Sequence, residues 1–281
     1  MILSIAVPSF DRPDELIRLL KSIDLKNYID FEVVICEDFS RSRSEIRRKV
    51  HSFKEKSSMQ INYFENEKNL GYDRNIIELL FKCKGKFVMF MGDDDYFNKG
   101  ILEKYLNFLR ENIDKGYVLR SYLSKNPEGY TEEFKYLKQE KIFEPGIETV
   151  IFNFKRSVSL AGFTISREKT LPFLKCSEIE GTLLTQVYLM SEVCLRYESI
   201  YCPLLTSFAH QSYRNNNPKF GNSEQEKKRY TPGSITQDNS INFTKSYFEV
   251  ANFLEVKNNI LIEARLRKEL SKYSYPFLSI Q

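Results

Sequence analysis

Phe87-Val88-Met89-Phe90-Met91-Gly92-Asp93-Asp94-Asp95 decides how this chain folds. An apolar run that passes directly into aspartates reads as a short strand, buried on both faces, that ends in a polar loop. Similar runs precede it at Ile2 to Val7, Phe31 to Cys36 and Ile61 to Phe64. Segments with helical spacing lie between them. Pro13 suits a helix's first position and is followed by Leu16, Leu19, Leu20 and Ile23. Ser42 and Glu45 have the spacing of a capping box, opening a basic helix with Arg47, Arg48 and Lys49. A further helix, from about Tyr72 to Cys83, buries Ile76, Ile77, Leu79 and Leu80. Strands alternating with helices predict an α/β, Rossmann-like architecture: a mostly parallel sheet flanked by helices on both faces.

Beyond Gly100 the pattern thins. Ile101 to Asn112 reads as a helix, Tyr117 to Tyr122 as a strand, Ser124 to Gly146 as irregular, and Ser157 to Ile165 as a later strand. Thr182 to Leu195 carries an apolar helical face, and Asn215 to Gly233 reads as a long loop. Ile241 to Lys272 is helical, with Arg265, Arg267 and Lys268, and fits an amphipathic appendage.

Composition narrows the classes. The formal charge of +4 is the small excess of 42 basic over 38 acidic side chains, so no nucleic-acid footprint is expected. Cys36, Cys83, Cys176, Cys194 and Cys202 are scattered, and with two histidines in the chain they give no zinc pattern; reduced thiols in a cytoplasm fit best. The first residues lack a basic leader and meet Pro8 early, so they read as a strand. No window approaches the apolar length of a membrane span, which leaves at most peripheral contact with a membrane.

In open α/β sheets ligands bind beyond the carboxyl ends of the strands, so the loops there carry the chemistry. They are polar: Pro8-Ser9-Phe10-Asp11-Arg12, Glu37-Asp38-Phe39-Ser40, Asn66 to Arg74, and Gly92 to Asp95. Adjacent carboxylates repel unless something neutralises them, and Mg²⁺ or Mn²⁺ would, using oxygen ligands and substrate phosphates. The same tract also fits an acidic turn that opens the helix starting near Asn98. Asn69-Leu70-Gly71 with Arg74 at a helix start suits an anionic phosphate, or is an ordinary glycine turn.

Val7-Pro8-Ser9-Phe10-Asp11-Arg12-Pro13, Val34-Ile35-Cys36-Glu37-Asp38, Asn69-Leu70-Gly71 with Arg74-Asn75, and Phe90-Met91-Gly92-Asp93-Asp94-Asp95 together resemble the family 2 glycosyltransferases of the GT-A fold, over about residues 1–100. The resemblance implies a nucleoside site at Pro8, Ser9, Phe10, Glu37 and Asp38, with Arg12, Asn69 and Gly71 beside it and Arg74 near the diphosphate. It implies a metal motif on the aspartates, Asp94 first, then Asp93 and Asp95. Gly92 stands where the family usually has an aspartate, and Phe39 where a small residue is common. The usual second-half Glu-Asp pair is missing, so Glu180 is the candidate base, with Glu178 behind it; either also fits a helix-start glutamate. His210 is a candidate late metal or diphosphate contact, or a surface histidine.

The implied activity is an inverting transfer from a nucleotide diphosphate sugar to a glycan or lipid-linked saccharide in bacterial surface polysaccharide synthesis, with Mn²⁺ or Mg²⁺ as cofactor. The implied organisation is a GT-A domain over 1–240, divided into a donor half at 1–100 and an acceptor half at 101–240, then a helical appendage at 241–281 that brings the enzyme to the inner face of the membrane. A sugar nucleotidyltransferase is the rival enzyme, although the first loop lacks the glycines it would need. A catalytically degenerate binding or assembly subunit is the non-enzymatic rival.

Overall fold

In a computed structural model the structure describes residues 1–24, 30–126, 128–210, 219–233 and 236–270. The strands β1 (Leu3–Ser9), β2 (Phe31–Glu37), β3 (Ile61–Glu65) and β4 (Phe87–Phe90) alternate with helices α1 (Pro13–Lys21), α2 (Arg43–Lys54) and α3 (Tyr72–Lys82). β2 and β4 flank β1 in parallel, and β3 extends the sheet beyond β2.

The period-2 alternation of side chains divides the core. Ile5, Val33, Ile35, Phe87 and Met89 face α1 and α2 on one side, while Ala6, Val34, Val88 and Phe90 face α3 on the other. Strands apolar on both faces are what such a double burial requires.

The second half adds strands to the far side of β4. The sheet order is β3-β2-β1-β4-β9-β6-β10-β5, with β5 (Tyr96–Phe97), β6 (Tyr117–Lys125), β9 (Phe163–Ser166) and β10 (Ser199–His210). β9 is antiparallel to both β4 and β6, so the parallel order of the first half ends there. Helix α4 (Leu102–Glu111) covers the α1 side, and α5 (Ile147–Phe154) and α7 (Thr185–Cys194) cover the α3 side. A short α6 (Arg167–Thr170) follows β9.

Three local expectations change. Ser124 to Gly146 is not irregular throughout: β7 (Thr131–Phe134) pairs with β6, and β8 (Lys141–Phe143) pairs with β10. Both strands are short and mostly exposed, and strand pairing rather than apolar alternation forms them. Ser157 to Ile165 is a strand only from Phe163, because its first part is a loop tied down by side chains. Ser42 does not cap α2 with its hydroxyl; its N–H and Oγ both donate to Asp11 Oδ1, at 3.0 and 2.8 Å.

The C-terminal helices α8 (Gln237–Asn258) and α9 (Glu263–Leu270) pack on the body of the protein. Tyr247, Val250, Ala251 and Leu254 of α8 and Leu266 and Leu270 of α9 join the same core cluster as α3 and α7. All five cysteines are free and buried. No helix among the described residues is long and apolar enough to cross a membrane.

Candidate active site

The loops beyond β1, β2 and β4 and the turn before α3 enclose one cavity of about 310 Å³. Of the residues singled out in the sequence, Pro8, Ser9, Phe10, Arg12, Asp38, Asn69, Gly71, Asp93, Asp94 and Asp95 line it.

The aspartate turn is neutralised from within the chain. Arg12 Nη1 lies 2.8 Å from Asp93 Oδ1 and its Nη2 lies 3.1 Å from Asp94 Oδ2. Phe10 N–H also donates to Asp93, at 2.9 Å. Burial raises the Asp93 carboxyl against the pull of Arg12. Burial alone would lower the Arg12 guanidinium; Asp93 and Asp94 outweigh it and raise it. The repulsion expected of adjacent carboxylates is therefore met first by an arginine.

Asp95 turns back to accept the Gly92 N–H at 3.0 Å. A Cβ at residue 92 would sit 2.8 Å from Asp95 Oδ2 and 3.0 Å from Asp94 Oδ1, so a side chain there would displace those two carboxylate ends.

Among the described residues no group of three or more His, Cys, Asp or Glu is arranged to hold a metal. The chemistry of the donor set still suits a hard cation that takes one or two carboxylates and finishes its shell with phosphate oxygens. Asp94 meets that description, because it lines the cavity and its side chain is 18% exposed, against 4% for Asp93.

Glu37 and Asp38 separate in role. The Glu37 carboxylate folds into its own turn, accepting the N–H groups of Phe39 and Ser40 at 3.1 and 2.8 Å, and does not line the cavity. Burial raises it. Asp38 reaches across to the third loop, accepting Leu70 and Gly71 N–H, each at 2.8 Å, and Asn66 Nδ2 at 2.8 Å. Burial pushes Asp38 up to about 6 even though these bonds pull it down. Phe39 adopts the left-handed conformation, φ 57°, with its ring half exposed beside Arg43.

The start of α3 departs from the phosphate cradle read in the sequence. Leu70 and Gly71 N–H are held by Asp38, and Tyr72 N–H donates to Glu226 at 2.7 Å. The helix entrance is occupied by the chain's own carboxylates. Arg74 is half exposed and its Nε lies 3.1 Å from Glu180 Oε1. Arg74, Glu178 and Glu180 line a separate open groove with Phe81, Leu174 and Cys176, and none of the three lines the main cavity. His210 ends β10 beside Lys125; its side chain lies outside the described residues.

Several cavity residues were missed. Lys219, Asn222 and Glu226 come from the segment read as a loop, and Ser159 and Leu160 come from the stretch read as strand. Lys219 Nζ lies 3.2 Å from Asp11 Oδ2, which brings its segment over the cavity. The Ser223-x-x-Glu226 spacing was the legible signal: Glu226 N–H and Ser223 N–H each bond the other's side chain, at 3.3 Å, in the manner of a capping box.

A sequence model described as "Glycosyl transferase family 2" matches residues 4–162, which spans all four cavity loops. Among curated relatives, the abequosyltransferase RfbV of Salmonella typhimurium is 27% identical over 110 residues, 38% of this chain and 33% of its own. A Campylobacter jejuni GalNAc(5)-diNAcBac-PP-undecaprenol β-1,3-glucosyltransferase is 31% identical over 117 residues, 41% of this chain and 36% of its own. The chain thus spans less than half the length of the curated relatives it matches. The fold matches Staphylococcus aureus TarS 1-349 in complex with UDP-GlcNAc at a TM-score of 0.64 and 20% identity, over 97% of this chain and 71% of that one.

Proposed function

Because the chain belongs to glycosyltransferase family 2, we propose that it transfers a sugar from a nucleotide diphosphate sugar to a hydroxyl of a glycan or lipid-linked oligosaccharide, with inversion at the anomeric carbon. The observation that carries this reading is the convergence of Pro8 to Arg12, Asp38, the turn before α3 and the aspartates on one cavity. The nucleoside belongs against Pro8 to Phe10 and Asp38. The diphosphate belongs toward Arg12, Lys219 and the aspartates.

Asp94, with Asp93 or Asp95, would hold Mn²⁺ or Mg²⁺, which supplies charge neutralisation to the departing nucleoside diphosphate. Arg12 supports the same role from the protein side by holding the aspartate turn in place. The acceptor hydroxyl needs a base as it attacks. Glu180 is the proposed base, with Glu178 second, and Glu180 Oε1 is held 3.1 Å from Arg74 Nε. His210 remains the proposed late metal or diphosphate contact.

The names of the relatives, an abequosyltransferase and an enzyme with an undecaprenol-linked acceptor, support a saccharide acceptor carried on lipid, and the proposal places the transfer in surface polysaccharide synthesis at the cytoplasmic face of a membrane. α8 and α9 each bury an apolar stripe in the core while Ile241 and Val256 of α8 stay exposed, and the proposed contact with anionic lipid would run through the basic side chains. Arg265→Glu with Arg267→Glu should then weaken cosedimentation with anionic vesicles several-fold; equal sedimentation removes membrane contact from the proposal.

One specific observation favours a non-catalytic binding subunit: Glu180 lies outside the cavity lined by the aspartates. A screen of nucleotide sugars by thermal stabilisation, with and without Mn²⁺, followed by an assay for released nucleoside diphosphate, tests both readings. A transferase is stabilised by at least one donor and releases its nucleotide; stabilisation without release supports the binding subunit, and no stabilisation by any donor refutes the donor site.

A further inference from the structure

Arg120 lies on β6 and is fully buried. Among the described residues no carboxylate pairs with it. A buried charge without a carboxylate is costly unless hydrogen bonds satisfy it, and here they come from one loop. Nε donates to Ala161 O at 3.0 Å, Nη1 to Arg156 O at 2.8 Å and Nη2 to Ser159 O at 2.5 Å. Gln186 of α7, also buried, donates Nε2 to Val158 O at 2.8 Å. Four carbonyls in the span 156–161 are thus turned inward by two side chains from different elements.

The same loop presents Ser159 and Leu160 to the cavity that the aspartates line. Its far end is fastened too. Gly162 N–H donates to Phe90 O at 3.0 Å, one residue before the Met91-Gly92 turn, and Gly162 adopts φ 76°. A side chain there would meet Ser207 Oγ and Thr206 Oγ1 at 3.1 Å, so the loop lies tight against β10. The planar guanidinium fork spreads its N–H donors over three nitrogens and so reaches three diverging carbonyls, whereas a lysine ammonium has its three N–H donors on one nitrogen.

We infer that Arg120 and Gln186 are positioning residues that fix the Ser159–Leu160 wall of the cavity, and that this wall selects the transferred sugar rather than the nucleotide. The inference rests on the glycosyl-transfer reading for what the wall contacts, and on the carbonyl bonds alone for how the wall is held. Neither side chain lines the cavity, so each acts through the loop.

The test compares wild type, Arg120→Lys and the milder Gln186→Leu, using UDP and UDP-GlcNAc as probes. Amide hydrogen exchange at residues 158–162 should accelerate at least about tenfold in each variant while β1 to β4 keep wild-type protection. Affinity for UDP should stay within about twofold of wild type, whereas KM for the nucleotide sugar should rise and kcat/KM fall by about 10- to 100-fold, the scale of an ångström-level misplacement. Wild-type exchange at 158–162 in a folded variant overturns the inference, as does an equal loss of UDP and UDP-GlcNAc binding, which marks a general structural defect. If wild type binds neither probe, the uridine donor reading fails, and exchange at 158–162 alone decides how the wall is held.

Discussion

The carboxylates of the cavity differ in what neutralises them, and that sets what each can do. Asp93 is sealed under Arg12 and the Phe10 N–H, Asp95 is absorbed by the Gly92 turn, and Asp94 keeps an exposed edge. Asp38 joins the loop after β2 to the turn before α3 by accepting Leu70 and Gly71 N–H, beside the bond from Asn75 Nδ2 to Cys36 O of β2. Its carboxyl is raised from 3.8 to about 6 by burial. The folded chain therefore holds a proton on Asp38 between those values that the unfolded chain has released, so its contribution to stability rises as pH falls from about 6 toward 4 and levels off below. Relative to Asp38→Asn, wild type should gain a few degrees in thermal midpoint on going from pH 7 to pH 5. A difference that does not change with pH would contradict the assignment. The acidic tract, Asp38 and Arg12 were all legible in the sequence by residue type and place after a strand. The pairing of Arg12 with Asp93 and Asp94 was not, because the partners lie about 80 residues apart and the parallel pairing of β1 with β4 brings the two loops together.

At the scale of elements, the entrance to α3 is a junction built from carboxylates. Asp38 holds Leu70 and Gly71, Glu226 holds Tyr72, and the buried Asp73 accepts Gly181, Leu183 and Thr185 N–H at 2.8 to 3.1 Å. Leu183 is held in the left-handed region, φ 63°, within that last turn. Glu226→Ala leaves the N–H groups of Tyr72, Asn222 and Ser223 without their acceptor and should cost roughly 2–3 kcal/mol. Urea unfolding measures it; a change below about 0.5 kcal/mol would mean that these groups find other partners. The first-half strands were legible because burial on both faces demands continuous apolar runs. β7 and β8 were not, because their polar residues are held by edge pairing with β6 and β10. Arg120 was in plain view, a charge inside the apolar run Tyr117 to Tyr122, and a fully buried strand is where such a residue has to have a task.

For the whole molecule, the helical C-terminus read as an appendage is a layer of the core. α8 and α9 complete the cluster that α3, α5 and α7 begin, and the polar periodicity of the segment concealed this because each helix has only one buried stripe. The family match ends at residue 162, yet Lys219 and Glu226 close the cavity from beyond it. The second half therefore helps to close the cavity that the first-half loops line. The account as a whole turns on Asp94, whose loss should spare the fold, since Arg12 still pairs with Asp93 and a partly exposed pair contributes only about 0–1 kcal/mol. The most direct measurement is the rate of nucleoside diphosphate release with Mn²⁺ for wild type and Asp94→Ala, using the nucleotide sugar that stabilises the protein most. The account predicts a fall of at least about 100-fold with a nearly unchanged thermal midpoint; release at the wild-type rate from Asp94→Ala would contradict it.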